Sequence, residues 1–424
     1  MTAASAPPRN AAELGFAEQF RAAAGGAASP ARAAAFRRFE IAGLPTRRVE
    51  SWHYTDLRAA LTKPAPISAP PGEATIAAAQ ARLAALPRLA PTRFALVDGV
   101  FVAALSDPPP AGVTLAPPPP PAPAVDDPML ALNLAFAEGG LAVTVAPGAA
   151  PQAIEIVHLI GGEGPRAVYS RLAVAIGADA RAMLVERFVG AGGETQRHAS
   201  TAIDIAAGGG LAHIAAIEDA PGLHVESQLA ELGERAALDG FGFVGGGALA
   251  RRQIFARLTG AEARIGLAGL GLLDGSRHAD TTLEVVHAAP RGESREFYRH
   301  IVADEAVGVF QGKVIVKPGA QKTDGAMKSQ AILLSPEATM NAKPELEIFA
   351  DDVVCGHGAT VGALDPEQLF YLQARGLPRA EAEAMLLEAF AAEAISRVDD
   401  SRLAESLIGL TRDWLGRRER GRLS

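Results

Sequence analysis

The chain has 424 residues, 49% hydrophobic and 21% charged, which is enough apolar material for a large core and too little charge for a disordered chain. Its formal net charge of −8 excludes the broad basic surface that nucleic-acid binding requires. The single cysteine, Cys355, excludes an intramolecular disulfide and any all-cysteine metal site within one chain. At about 150 residues per domain the length suggests two to four domains. Residues Met1 to Phe16 lack a basic segment followed by an apolar one. No stretch approaches the roughly 20 apolar residues of a membrane span. The expectation is a soluble cytoplasmic protein.

The first third reads as helical. Ala12–Ala24 and Pro30–Ala42 place apolar residues at helical spacing. Ser29-Pro30 forms an N-cap and N1 pair, and Gly43 with Pro45 ends the second helix. Ala74–Leu86 is a third helix, closed by Pro87. A strand pair follows at Phe94–Val97 and Phe101–Ala104, turned by Asp98-Gly99. The Pro-rich run Pro108–Pro123 predicts an extended linker rather than a folded element. Asp126–Glu138 returns to a helical pattern.

From Leu141 to Val361 short β-prone runs recur between Gly-rich or polar turns, among them Ile154–Leu159, Met183–Val189, Thr281–Val286 and Lys313–Val316. Only Ser227–Leu238 offers helical spacing there. Low aromatic content, small side chains and steady turn spacing fit a β-solenoid, although no exact repeat is visible. Helices resume at Pro366–Ala374 (capped by Asp365), Arg379–Arg397 and Ser401–Arg418. The resulting layout is a helical region over 1–138, a β core over 139–362 and helices over 363–424.

Gly240–Gly245 matches G-x-G-x-x-G literally, but it does not lead from a strand into a helix, so it predicts solenoid corners rather than a dinucleotide site. No phosphate-binding loop, G-x-S-x-G or H-E-x-x-H is present. Five of the six lysines fall between Lys313 and Lys343, either a functional stretch or a solvated face. Within the segment Gly312–Gly362, Cys355 and His357 are two residues apart. On an extended strand Val353, Cys355 and His357 share one face. A thiolate beside an imidazole suits iron or zinc, but two donors do not complete a site. The remaining donors come from a partner chain, or the pair is a buried Cys beside a structural His, or it is a Cys–His nucleophile.

Three strings carry a family resemblance: Pro318–Asp324 (PGAQKTD), Lys343–Val353 (KPELEIFADDV) and Cys355–Gly362 (CGHGATVG), continued by Leu369–Gly376 (LFYLQARG). The sequence here resembles the SufB/SufD family, scaffold subunits of the SUF iron–sulfur cluster assembly machinery. It is more similar to SufD, because Glu50–Leu57 (ESWHYTDL) resembles a SufD N-terminal segment and cysteine is scarce. The resemblance implies a right-handed parallel β-helix between two helical domains and a non-catalytic scaffold role. It implies pairing with SufB through the edge bearing Val353, Cys355 and His357. It also implies docking of the ATPase SufC on the C-terminal helices, around Leu369, Phe370, Tyr371, Arg375 and Gly376. His357, and more weakly Cys355, are implied ligands of a transient iron–sulfur cluster, with no permanently bound cofactor, nucleic acid or membrane. The position between them is Gly356, where the family often has Ser. The sequence leaves open a homodimer of the lone chain. Competing classes are a β-helix carbohydrate-active enzyme and a Cys–His hydrolase.

Overall fold

The computed structural model describes residues 9–24, 28–120, 125–162, 164–190, 194–218 and 222–423. Its centre is a two-sheet parallel solenoid. Successive strands alternate between the sheets. One sheet holds nine parallel strands from Thr92–Val97 to Val354–Gly362, and the other holds eight from Leu141–Val145 to Thr339–Ile348, among the described residues. Alternate side chains of each strand point between the sheets. In-register pairing therefore stacks like on like: Val143, Val174, Ile203, Ala230, Ala256, Val285 and Val314 form one continuous buried column.

The repeat hidden in the sequence lies at the corners. At one corner of each coil a residue turns left-handed: Asp179 (φ 57°), Arg235 (φ 53°), Glu262 (φ 61°), Arg291 (φ 59°) and Lys322 (φ 60°). Each donates its backbone N–H to a carbonyl of the next coil, as from Arg235 to Ala261 at 2.9 Å and from Glu262 to Pro290 at 3.1 Å. The local pattern is G-x-x-A, at Gly177–Ala180, Gly233–Ala236 and Gly260–Ala263. The alanines are fully buried. A Cβ on Gly260 would sit 2.0 Å from the Glu234 nitrogen, so only glycine lets the coils stack that closely. The register spacing is 27 residues from Thr195 to Gly222, 29 from His278 to Val307 and 32 from Val307 to Thr339. This drift masks the periodicity.

Helices flank the solenoid. α1 (Ala11–Ala24), α2 (Pro30–Ala42), the single turn α3 (Leu57–Ala60), α4 (Glu73–Ala85) and α5 (Pro128–Phe136) precede or interrupt its first coil. The rings of Phe16, Phe20, Phe36, Phe39 and Phe136 join α1, α2 and α5. The segment Glu50–Leu57 straps this region to the second sheet. Trp52 is buried, its indole N–H donates to Asp127 at 3.2 Å, and Arg251 lies 3.7 Å over its ring. Arg251 also pairs with Asp280. After the last strand come α6 (Pro366–Ala374), α7 (Arg379–Ile395) and α8 (Ser401–Leu423).

Four expectations need correction. Ser227–Leu238 is not helical: it spans the strand Gly222–Leu232, the corner at Arg235 and the start of Ala237–Val244. Its apolar spacing suits either period, and parallel pairing on both sides decides it. Gly240 and Gly242 lie inside a strand rather than at corners. A Cβ on Gly242 would sit 2.1 Å from Arg252 Nη1, so the glycine admits a charged side chain that crosses the interior. Within the Pro-rich run, Val113–Ala116 is a strand antiparallel to Leu141–Val145, while 121–123 lie outside the described residues. Finally, the hairpin at Asp98-Gly99 forms, but its second strand is only Val100–Phe101, followed by the 3₁₀ turn Ala103–Leu105.

Candidate functional site

The two antiparallel additions close the first coil. Among the described residues the other end of the solenoid carries no such cover. Its last strands, Thr339–Ile348 and Val354–Gly362, are half-buried and largely exposed, respectively. Val354 and Phe349 are 72% and 59% exposed.

Cys355 and His357 stand on this last strand. Register pairs Gly325 with Cys355 and Met327 with His357, extending the inward columns of Ser294 and Glu296. Both side chains therefore belong to the interior row, at the one coil where the interior opens. The thiol packs against the core over Gly325, where a side chain would sit 3.4 Å from Sγ. Cys355 is half-buried and His357 is exposed. Val353 lies in the bend before the strand and packs against the same core. Burial pushes the Cys355 thiol up. The Gly325 N–H and Arg295 pull the other way, and Asp324 and Glu296 reinforce the rise. A raised thiol is the opposite of an activated nucleophile, which weighs against the Cys–His hydrolase. Among the described residues no group of three or more His, Cys, Asp or Glu side chains is placed to hold a metal ion. Cys355 and His357 can thus supply donors but not a complete set.

Behind this end runs a polar interior that sequence reading missed. Glu186, fully buried, accepts from Thr201 at 3.0 Å and meets His158 at 2.8 Å and His213 at 3.1 Å. Arg252 donates to Gln228 at 2.8 Å and pairs with Glu226 at 3.4 Å. Glu296 is 2% exposed, and burial pushes its carboxyl up to about 8, against a smaller opposing pull from Ser294. Strand alternation assigns such charges to solvent. The only clue was charge interrupting an apolar run, such as Glu186-Arg187 in Met183–Val189.

The terminal strand runs into α6 through three residues, 363–365. Asp365 caps α6, accepting from the Glu367 N–H at 2.8 Å. Leu369 is buried, whereas Phe370 and Tyr371 are 73% and 57% exposed. Arg375 donates to the Tyr371 hydroxyl at 2.7 Å, and Gly376 (φ 90°) ends the turn. α7 is fastened to the sheet: Arg299 pairs with Glu393 and donates to the Phe390 carbonyl at 2.7 Å. Two of the five clustered lysines bridge neighbouring coils and a third reaches the N-terminal strap. Lys313 pairs with Glu347 at 2.8 Å, Lys322 with Asp352 at 2.9 Å and Lys343 with Glu50 at 3.1 Å.

Fold and site together define a helix-flanked parallel β-solenoid with an incomplete donor pair at its uncovered end. Residues 158–390 match the SUF system FeS cluster assembly, SufBD core domain, and residues 20–116 match the SufBD protein N-terminal region. The chain is 31% identical to the iron–sulfur cluster assembly protein SufD of Escherichia coli K12, over 86% of this chain and 88% of that one. Chloroplastic protein ABCI7 of Arabidopsis thaliana is 36% identical over 36% of this chain and 32% of its own. A SufBD family protein of Synechocystis, slr0076, is 38% identical over 30% and 28%. The chain belongs to the SufB/SufD family of iron–sulfur cluster assembly proteins. No helix among the described residues is long and apolar enough to cross a membrane.

Proposed function

We propose that this chain is a cytoplasmic, non-catalytic scaffold that pairs with a SufB-type subunit at the open end of its solenoid and contributes His357 to a nascent iron–sulfur cluster. The observation that carries this reading is the position of His357: an interior-row imidazole on the last coil, exposed because no further coil covers it. A ligand set that one chain leaves incomplete calls for a second polypeptide. Cys355 is the secondary donor, since its raised thiol must lose a proton before it binds metal.

The cluster is cargo, assembled at the junction and passed on. The three-residue link from the terminal strand to α6 supports a mechanical role. A SufC-type ATPase docked on Phe370 and Tyr371 would pull α6 on nucleotide-driven closure. α7 stays anchored through Arg299 and Glu393, so the displacement falls on the terminal strand and opens the seam around His357.

Co-expression with SufB and SufC homologues tests both parts. His357→Ala is expected to leave the complex intact and lower its iron and sulfide content severalfold; unchanged content removes the ligand assignment. Phe370→Asp is expected to reduce co-purification with SufC severalfold, and undiminished recovery removes the docking surface. The purified lone chain is expected to show no ATP hydrolysis, and clear turnover contradicts the scaffold role.

A further inference from the structure

A groove of about 990 Å³ crosses the outer face of the nine-strand sheet, from the strand Ala237–Val244 to the terminal strand, beside the turn that follows α7. It spans five adjacent strands, roughly 19 Å at about 4.8 Å per strand. Its floor is made of small outward-facing residues: Gly266, Ala268, Ala326, Gly356 and Gly358. The last two have no internal reason to be glycine. Neither is left-handed, and a Cβ on either would meet nothing within 4 Å. Glycine weakens a strand interior and marks places where another backbone comes close.

Charge is arranged along the groove. At the inner end Asp239 lies beside Arg264, and burial together with Asp399 pushes its carboxyl up. Midway, Arg295 is neutralised by Asp324 at 2.6 Å. Over the same middle strand Arg397 lies 5.0 Å from the Phe297 ring and Lys328, one strand outward, lies 5.9 Å from it, neither with an ion-pair partner among the described residues, while Glu293 adds one carboxylate to the lining. Lys328 neighbours Gly358 in register.

We infer that this groove binds an extended, acidic polypeptide segment, whose backbone crosses Gly356 and Gly358 while its carboxylates pair with Lys328 and Arg397. A small anion would need the two cations but neither the length of the groove nor the bare glycine floor. An extended segment rises about 3.3 Å per residue, so the groove takes about six residues. Pairing at this open site weakens with salt.

The test uses the full-length lone chain, so it succeeds or fails independently of cluster assembly. The probe is a fluorescein-labelled octapeptide of alternating Glu and Val, read by anisotropy at low salt, with a Gln-for-Glu version as control. Expected results are saturable binding, a tenfold or greater loss for the Gln peptide, and a similar loss in the Lys328→Glu, Arg397→Glu double variant. Gly358→Val places a side chain in open space and suits a strand. It is expected to weaken binding at least fivefold without lowering the melting temperature. Should it fold poorly, Ala326→Val on the same floor takes its place. Absence of saturable binding overturns the inference. So does unaltered binding by the floor variants, which leaves only diffuse charge attraction, or displacement by inorganic pyrophosphate at equal concentration, which marks a small-anion site.

Discussion

Single residues in this solenoid are decided by which side of the sheet they face. Glu296 faces inward, one coil below Met327 and two below His357. Its carboxyl is neutral in the fold up to about pH 8, because burial penalises the charge. An unfolded glutamate ionises near its ordinary 4.5. Between those values the folded state holds a proton that the unfolded state has lost, so stability falls as pH rises. Glu296→Gln removes that penalty. Thermal melts are expected to show little change near pH 5 and a gain of several degrees near pH 8. An equal shift at both values would mean the carboxyl is not buried as described.

At the scale of elements, the corner sets the fold. Each coil rests on the next through a left-handed residue and a carbonyl ladder, and at Gly177 and Gly260 also through a glycine with no room for a side chain. Gly260→Ala drives a methyl into the backbone of the preceding coil, a clash costing on the order of 1–3 kcal/mol or more. Gly356→Ala meets nothing and is expected to leave stability unchanged within about 0.5 kcal/mol. Urea denaturation of the two variants separates them. Equal destabilisation would show that corner packing does not limit stability.

For the whole molecule, buried titratable groups set the pH of greatest stability. Burial pushes His198 down to about 3 and both His287 and His300 down to about 4; His224 adds to the shift of His198. Unfolded imidazoles protonate near 6.5. Below that value the unfolded chain binds more protons, so stability falls with acid. Glu296 works in the opposite sense up to about pH 8. With His278 also pushed down by burial, four histidine protons oppose the one on Glu296 just below pH 6.5, and of these groups only Glu296 acts above it. Stability is therefore expected to peak near pH 6.5. A melting temperature that climbs steadily through pH 8 would contradict this balance.

The sequence by itself determined the capped starts of α2 and α6, though not the end of the last helix, which runs past Arg418 to Leu423, together with the β texture between Leu141 and Val361 and the family strings around Cys355 and His357. Those features rest on caps, breakers and local spacing, which act within a few residues. Ser29 caps α2 and Asp365 caps α6 as their positions suggest. The tertiary structure alone decided that Ser227–Leu238 is strand and corner, because pairing with neighbouring coils outweighs a spacing that suits both periods. It alone turned Glu186, Arg252 and Glu296 inward. It also decided the exposure of His357: alternation fixes which row a side chain joins, but only the ending of the stack leaves that row uncovered.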